Sequence, residues 1–197
     1  RETKGSHAAA KASNAEVLTQ IEALKQLAVK GALSESIKWI QNFLDIDGKL
    51  VVFAVHKFVI DALMEAFPKI SVKIDGAVTN ENRQKAVDEF QTNPKIRLFV
   101  GNIVAAGVGL TLTASSNVAF LELPWTPGAL AQSTDRVHRI GQKNAVMVHY
   151  LLATGTIVEK IASLLDSKQK VLDAVLDGKI TEQESLLSEL INQYLEK

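Results

Sequence analysis

Leu50-Val-Val-Phe-Ala-Val55 is six apolar residues in a row, with no polar position among them. A strand wet on one face alternates apolar and polar residues. An unbroken short run rich in β-branched and aromatic side chains is instead expected of a strand covered on both faces. Such cover comes from helices packed above and below a mostly parallel sheet.

Working outward, the same alternation of types continues. A helix is expected over about Lys57 to Phe67, closed by Pro68, then a short strand from Val72 to Ile74. Asp75-Gly76 turns into a helix from about Thr79 to Gln91, followed by strands at Ile96 to Val100 and Val118 to Leu121. Thr126-Pro127 is a good helix start, with Thr as the cap and Pro in the first turn. That helix is expected to run to about Ile140 and stop at Gly141. Ala145 to Leu152 reads as a further strand. Ile157, Ile161, Leu164, Lys168, Val171, Leu172 and Val175 mark a long last helix stopped by Gly178, and Thr181 with Glu184 caps one more. Strands alternating with helices predict an α/β fold, in which ligands gather at the carboxyl ends of the strands. The loops after Val55, Ile74, Val100 and Leu123 are therefore where chemistry is expected.

Upstream of this core, Arg1 to Ala12 is polar and alanine-rich and is expected to be a linker or a cloning remnant around Gly5-Ser6-His7. Ser13 with Glu16 reads as a capping box, with Val17, Ile21, Leu24 and Leu27 inward at helical spacing. A second helix is expected from Ser34, burying Ile37, Ile40, Phe43 and Leu44 and ending at Asp47-Gly48. The organisation read from the chain is thus residues 1–12 as linker, 13–48 as a helical lead-in, 49–178 as the α/β domain and 179–197 as a C-terminal helix.

The 197 residues suffice for one core of ordinary size, and 47% hydrophobic with 22% charged residues is a globular profile. No apolar run is long enough to span a bilayer. The absence of cysteine excludes disulfides and zinc ribbons, and His7, His56, His138 and His149 share no metal-ligand spacing. The 22 basic and 22 acidic residues cancel. A free-standing DNA-binding domain is usually basic, so this balance fits a protein that supplies one wall of a DNA groove.

The most chemically loaded stretch is Gln132-Ser-Thr-Asp-Arg-Val-His-Arg-Ile-Gly-Gln142. On a helix, Gln132, Arg136 and Arg139 share a face, with Asp135 beside them and Leu130, Val137 and Ile140 pointing elsewhere. Two guanidinium groups a turn apart suit a multi-oxygen anion, since they stay ionised and donate in pairs. The plainer alternative is that they complement a helix C-terminus or pair with Asp135.

Asp135 to Gln142 resembles motif VI of the Swi/Snf family, the helicase-like DNA translocases of superfamily two. Other segments resemble further family blocks in the same order. Lys49 to Leu63, with His56 and Lys57, is similar to motif IV. Ile74 to Gln91 is similar to the next block through Asp75-Gly76, Thr79, Arg83 and Phe90-Gln91. Asn102 to Leu112, with Ala105-Ala-Gly-Val-Gly-Leu110, is similar to motif V, although the family usually has Ser or Thr at the Asn102 position. Glu122-Leu-Pro-Trp-Thr-Pro-Gly128 is similar to the segment before motif VI. Ala119 to Gly128 and His149 to Ala153 resemble the HepA-related annealing-helicase branch. By themselves, Thr79 is an N-cap, Phe90 is core, Arg83 belongs in a structural ion pair, Gly107-Val-Gly109 is a turn, and Trp125 packs under its loop.

The resemblance implies a RecA-like three-layer αβα domain with helical extensions, serving as the second motor lobe of an ATP-dependent double-stranded DNA translocase. It implies catalytic roles for Arg136, Arg139 and Gln132, nucleotide contacts at Gly107, Gly109 and Asp135, and DNA contacts at His56, Lys57, Gly76, Thr79, Asn102 and Ala105. No Gly-X-X-X-X-Gly-Lys-Ser/Thr phosphate loop or acidic magnesium motif occurs in the 197 residues. ATP and Mg are therefore expected to be held mainly by an N-terminal ATPase lobe of the same polypeptide, leaving this lobe inactive by itself. Double-stranded or branched DNA, gripped by its backbone, is the expected partner, with no membrane role. The expected location is cytoplasmic, on the nucleoid or in the nucleus. Two alternatives stay open: a non-catalytic interaction module derived from such a lobe, and an RNA helicase lobe. The latter usually carries a Gly-Arg-X-Gly-Arg form of the motif.

Overall fold

The structure is a computed structural model that describes residues 2–46, 48–105 and 109–174, with side chains described from 16 to 167 inside those ranges. Five strands form one parallel sheet: β1 Leu50–Ala54, β2 Ser71–Ile74, β3 Leu98–Asn102, β4 Asn117–Phe120 and β5 Met147–Tyr150. Their order is β2-β3-β1-β4-β5, so the run that opened the sequence reading is the central strand. Val52 pairs with Val100 on one side and Ala119 on the other.

All of β1 is inaccessible to solvent. Leu50, Val52 and Ala54 face α1 (Glu2–Ile46) and α2 (Lys57–Ala66), packing with Ile40, Leu44, Ile60 and Leu63. Val51 and Phe53 face the other way, onto Phe99, Phe120 and the residues Val87 and Phe90 of α3 (Asn80–Thr92). Phe53 stacks on Phe120 at 5.6 Å, and Phe90 meets Phe99 edge-on at 5.5 Å. Alternate residues of one apolar run thus fill two separate cores, which is why the run has no polar position.

Beyond the sheet lie α4 (Pro127–Thr134) and α5 (Ile157–Ala174). A third cluster joins Val17 and Ile21 of α1 to Leu123 and to Val158, Ile161 and Leu165 of α5. The C-terminal helix expected at 179–197 and the Gly178 stop lie outside the described residues.

Two expectations about helices are corrected. The lead-in is one helix, Glu2–Ile46, where a linker and two helices were expected. No proline interrupts it, and Gly5 and Gly31 each cost a helix only about 1 kcal/mol, less than a break requires. Its buried stripe runs Val17, Ile21, Lys25 and Val29 in steps of four, while Leu24 and Leu27 are 38% and 66% exposed. The stripe follows i, i+4 and passes through a lysine, so an apolar pattern alone misplaced it.

The second correction concerns the arginine segment. The helix from Thr126 ends at Thr134, and residues 135–141 form a run of turns and bends. Ser133 Oγ and Thr134 Oγ1 donate to the carbonyls four residues back, at 2.8 and 3.1 Å. This competition with the backbone ladder loosens a helix end. The shared helical face expected for Gln132, Arg136 and Arg139 therefore does not exist. Ile140, assigned to an apolar side, is fully exposed.

Candidate functional site

Because every strand is parallel, the ends of β2, β3, β1 and β4 emerge side by side at one edge. Three side chains stitch these ends together, one for each adjacent pair. Glu122, just after β4, accepts from the backbone amides of Val55 and His56, both at 2.8 Å. Asn102, at the end of β3, donates to Val55 O at 2.7 Å and accepts from Val104 N and Ala105 N at 3.0 Å. Arg83, on α3, donates to Ala105 O at 2.9 Å, Val78 O at 3.1 Å and Asp75 O at 3.5 Å. Buried main-chain groups that leave a strand end lack a ladder partner, and these side chains supply one.

The sequence reading placed several DNA-contact candidates here, and the structure brings them onto one edge. His56 is mostly enclosed, with Nδ1 against Glu122 Oε1 and Nε2 3.2 Å from Glu22 Oε1 on α1. Lys57 is 74% exposed and pairs with Asp61 at 2.5 Å. Gly76 is exposed, and a Cβ there would meet no atom within 4 Å, leaving its backbone open to approach. Thr79 caps α3 by accepting from Asn82 N at 3.4 Å. Asn102 and the carbonyl of Ala105 are committed to the internal bonds just described. Among the described residues Arg83 binds carbonyls rather than an acid, so the structural ion pair expected for it is replaced by a loop-bridging role.

Beneath this edge sits a group the apolar pattern overlooked. Lys25 is 4% exposed, lies 3.4 Å from Glu22, and places its ammonium 4.0 Å from the centre of the Trp125 ring. Burial pulls its pKa below the ordinary lysine value, opposed by Glu22 first and Glu122 after it. Trp125 is thus packed, as its plain reading held, and it also serves a cation. The visible hint is Phe120-Leu-Glu-Leu123, a lone carboxylate in an apolar strand end, which must find donors or leave the core.

The arginine segment lies across the loop that follows β3. Val137 is fully buried and anchors it. Leu112 N donates to Arg136 O at 2.8 Å. Gln142 Nε2 donates to Ser115 O at 2.6 Å, Thr113 O at 3.3 Å and Val137 O at 3.4 Å. Between these anchors Arg139 is exposed, with Nη1 reaching Thr111 Oγ1 at 2.9 Å, Leu110 O at 3.1 Å and Gly109 O at 3.3 Å. Gly109 has φ +69°, a left-handed conformation that suits glycine. Gly107 lies outside the described residues. Gln132 and Asp135 are exposed at the end of α4, and Arg136 is half-buried.

A cavity of about 560 Å³ opens behind this segment, between α4, β5 and α5, with Asp135 and Asp166 on its otherwise mainly apolar wall. Neither Arg136 nor Arg139 lines it. Among the described residues no group of acids and histidines is arranged to hold a metal ion, and no helix is long and apolar enough to cross a membrane.

A five-stranded parallel sheet packed by helices on both faces, with an arginine segment fixed to the loop after the inner strand β3, is a RecA-like α/β fold. The helicase conserved C-terminal domain matches residues 35–141, and the chain belongs to that family, as a C-terminal lobe of the Swi/Snf type. It is 38% identical over 166 residues to the "DNA annealing helicase and endonuclease ZRANB3" of Mus musculus, a match covering 83% of this chain and 15% of that protein. It is 43% identical over 127 residues to the "SWI/SNF-related matrix-associated actin-dependent regulator of chromatin subfamily A-like protein 1" of Xenopus tropicalis, covering 63% of this chain and 14% of that protein. The chain therefore spans only about a seventh of these curated relatives. The C-terminal part of the Fun30 ATPase domain shares the fold, with a TM-score of 0.65 at 23% identity over 84% of this chain and 54% of that one.

Proposed function

We propose that this lobe is the second motor half of an ATP-dependent double-stranded DNA translocase. Arg136 and Arg139 act as arginine fingers towards a nucleotide held by an N-terminal lobe, with Gln132 beside them. Gly107, Gly109 and Asp135 serve as nucleotide contacts. Lys57, Gly76 and Thr79 meet the DNA backbone. His56, Asn102 and Ala105 shape the same wall. ATP and Mg are held mainly by the other lobe, and branched as well as linear duplexes are substrates.

One observation supports this reading above the rest. Arg139 is tied at Nη1 to the loop after β3 yet remains exposed, and among the described residues no carboxylate pairs with it, so the cation is oriented without being neutralised there. A guanidinium held this way has donors left for phosphoryl oxygens, and such a finger is worth roughly a thousand- to a hundred-thousand-fold in rate. An exposed arginine serving only stability would instead be expected against a carboxylate.

The test is ATP hydrolysis by the full-length protein with and without duplex DNA. Stimulation by duplex, lost in Arg136→Ala and Arg139→Ala, is the expected result. DNA-independent turnover, or full activity in both variants, would overturn the mechanism. Steady turnover by the 197-residue chain, abolished by Arg139→Ala, would show that the lobe holds a complete site and contradict the two-lobe division.

A further inference from the structure

The three stitching side chains all join ends of paired strands but differ in where they come from. Glu122 joins ends of strands that are already paired, and Asn102 does the same between β3 and β1. Arg83 comes from outside the sheet. It reaches from α3 to the loop after β2, through Asp75 O and Val78 O, and to the loop after β3, through Ala105 O. These loops carry Gly76 and Thr79 on one side and Asn102 to Ala105 on the other. Within each, the backbone is held by a local acceptor. Asp75 Oδ1 takes Ala77 N at 3.0 Å, and Asn102 Oδ1 takes Val104 N and Ala105 N at 3.0 Å. So each loop has its own internal tie, and Arg83 bridges the two.

We infer that Arg83 is a positioning residue for the proposed duplex grip. It fixes the loop after β2 against the wall formed by Asn102 to Ala105, so that the exposed Gly76 backbone and the Thr79 hydroxyl meet successive phosphates together. The inference rests on the functional reading above and deepens it. The chemistry fits the task. A planar guanidinium offers several donors in fixed directions, so it sets distances and angles between carbonyls that a flexible ammonium cannot. Phosphate contacts fix register on a duplex rather than read sequence, so a shift of the contact loop against this wall weakens all sequences alike. Arg83 itself points inward to carbonyls and does not contact DNA.

The experiment compares wild type with Arg83→Lys and Arg83→Ala in the full-length protein. Half-saturating duplex concentration and the rate of ATP hydrolysis at saturating duplex are measured separately, and amide exchange is followed in the same variants. Loss of these bonds is expected to raise the half-saturating duplex concentration by about tenfold or more, equally for unrelated sequences. The saturated rate should stay close to that of wild type. Arg83→Lys, which keeps the charge but not the fork, should show much of the same defect. Amides of Ala77, Val78, Val104 and Ala105 should exchange faster together, while β1 stays protected. An unchanged duplex requirement, or a fall in saturated rate matching the fall in affinity, overturns the inference. So does faster exchange in one loop only. If wild-type turnover ignores duplex altogether, the translocase reading fails. Unchanged exchange at either loop would then still refute the bridge as a separate matter.

Discussion

The two halves of the polar edge are held by different means. Around β2, β3, β1 and β4, the loops are tied by side chains that are themselves engaged at several atoms, as in Glu122 with two amides and Asn102 with three partners. The arginine segment is held at its ends, by Val137 in the core and Gln142 on three carbonyls, and it leaves Arg139 exposed between them. One half is a surface whose shape is fixed. The other presents an exposed cation that is oriented by loop oxygens but, among the described residues, is not paired with an acid. A wall that meets a regular polyanion needs the first. A group that must reach a nucleotide on another lobe, at one stage of a cycle, needs the second.

The sharpest way to break this contrast is to remove the exposed cation. Arg139→Ala in the full-length protein should lower duplex-stimulated ATP hydrolysis by roughly a thousand- to a hundred-thousand-fold. Its effect on the lobe's stability should lie within about 0.5 kcal/mol, as for a surface substitution. Steady-state turnover and a urea titration check the two parts. A large stability loss would show that the segment is structural, and the contrast would collapse.

On the fixed half the order reverses. Glu122→Ala takes the acceptor from the part-buried Val55 and His56 amides and leaves the Lys25 ammonium with less compensating charge. Breaking a buried charged network this way costs about 3–5 kcal/mol, so the urea midpoint should fall steeply. Glu122→Gln keeps an acceptor oxygen and should recover part of the loss. Between these extremes lies Gln142→Ala. It strips the carbonyls of Thr113, Ser115 and Val137 of a shared, half-buried donor, and the expected loss is about 1–3 kcal/mol. Because Gln142 anchors the segment that carries Arg139, ATP turnover should fall with it, which distinguishes an anchor from a bystander.

The same contrast explains what could be read from the chain. β1 was legible because burial on two faces leaves a mark on every residue. The cap at Thr79 and the start at Thr126-Pro127 were legible because helix ends need particular atoms. The stripe on α1 was not, because its third position is Lys25, whose place depends on Glu22 and Trp125 reaching it from elsewhere in the fold. The end of α4 was misjudged because a period of 3.6 fits Gln132, Arg136 and Arg139 whether or not the helix continues. What ends it is Ser133 and Thr134 bonding backward, together with Gln142 drawing the chain onto the loop beyond β3. Arg83 was identified as a motif residue, but its partners are main-chain carbonyls, which carry no signature in a sequence.

The smallest effect tests whether fixed geometry on this wall depends on charge. Lys73 on β2 lies 3.0 Å from Asp75 and 3.4 Å from Asp61. The bond from Lys73 is the main cause holding the Asp75 carboxyl below its ordinary pKa of 3.8, aided by Ala77 N, and Asp75 in turn holds Lys73 above its ordinary value. A carboxylate with a depressed folded pKa adds stability above the unfolded pKa and loses it as pH falls through the folded one. The stabilisation is therefore present at neutral pH and disappears on acidification below about pH 4. Solvent screening keeps it under about 1 kcal/mol. Asp75→Asn retains an oxygen for Ala77 N but not the charge, so its urea midpoint should sit slightly below wild type at pH 7 and converge with it by about pH 2. If the two midpoints run parallel down to that pH, the turn at Asp75 is held by its hydrogen bond to Ala77 rather than by Lys73. The wall's shape would then be independent of pH, while the proposed grip on phosphate would still require its cations.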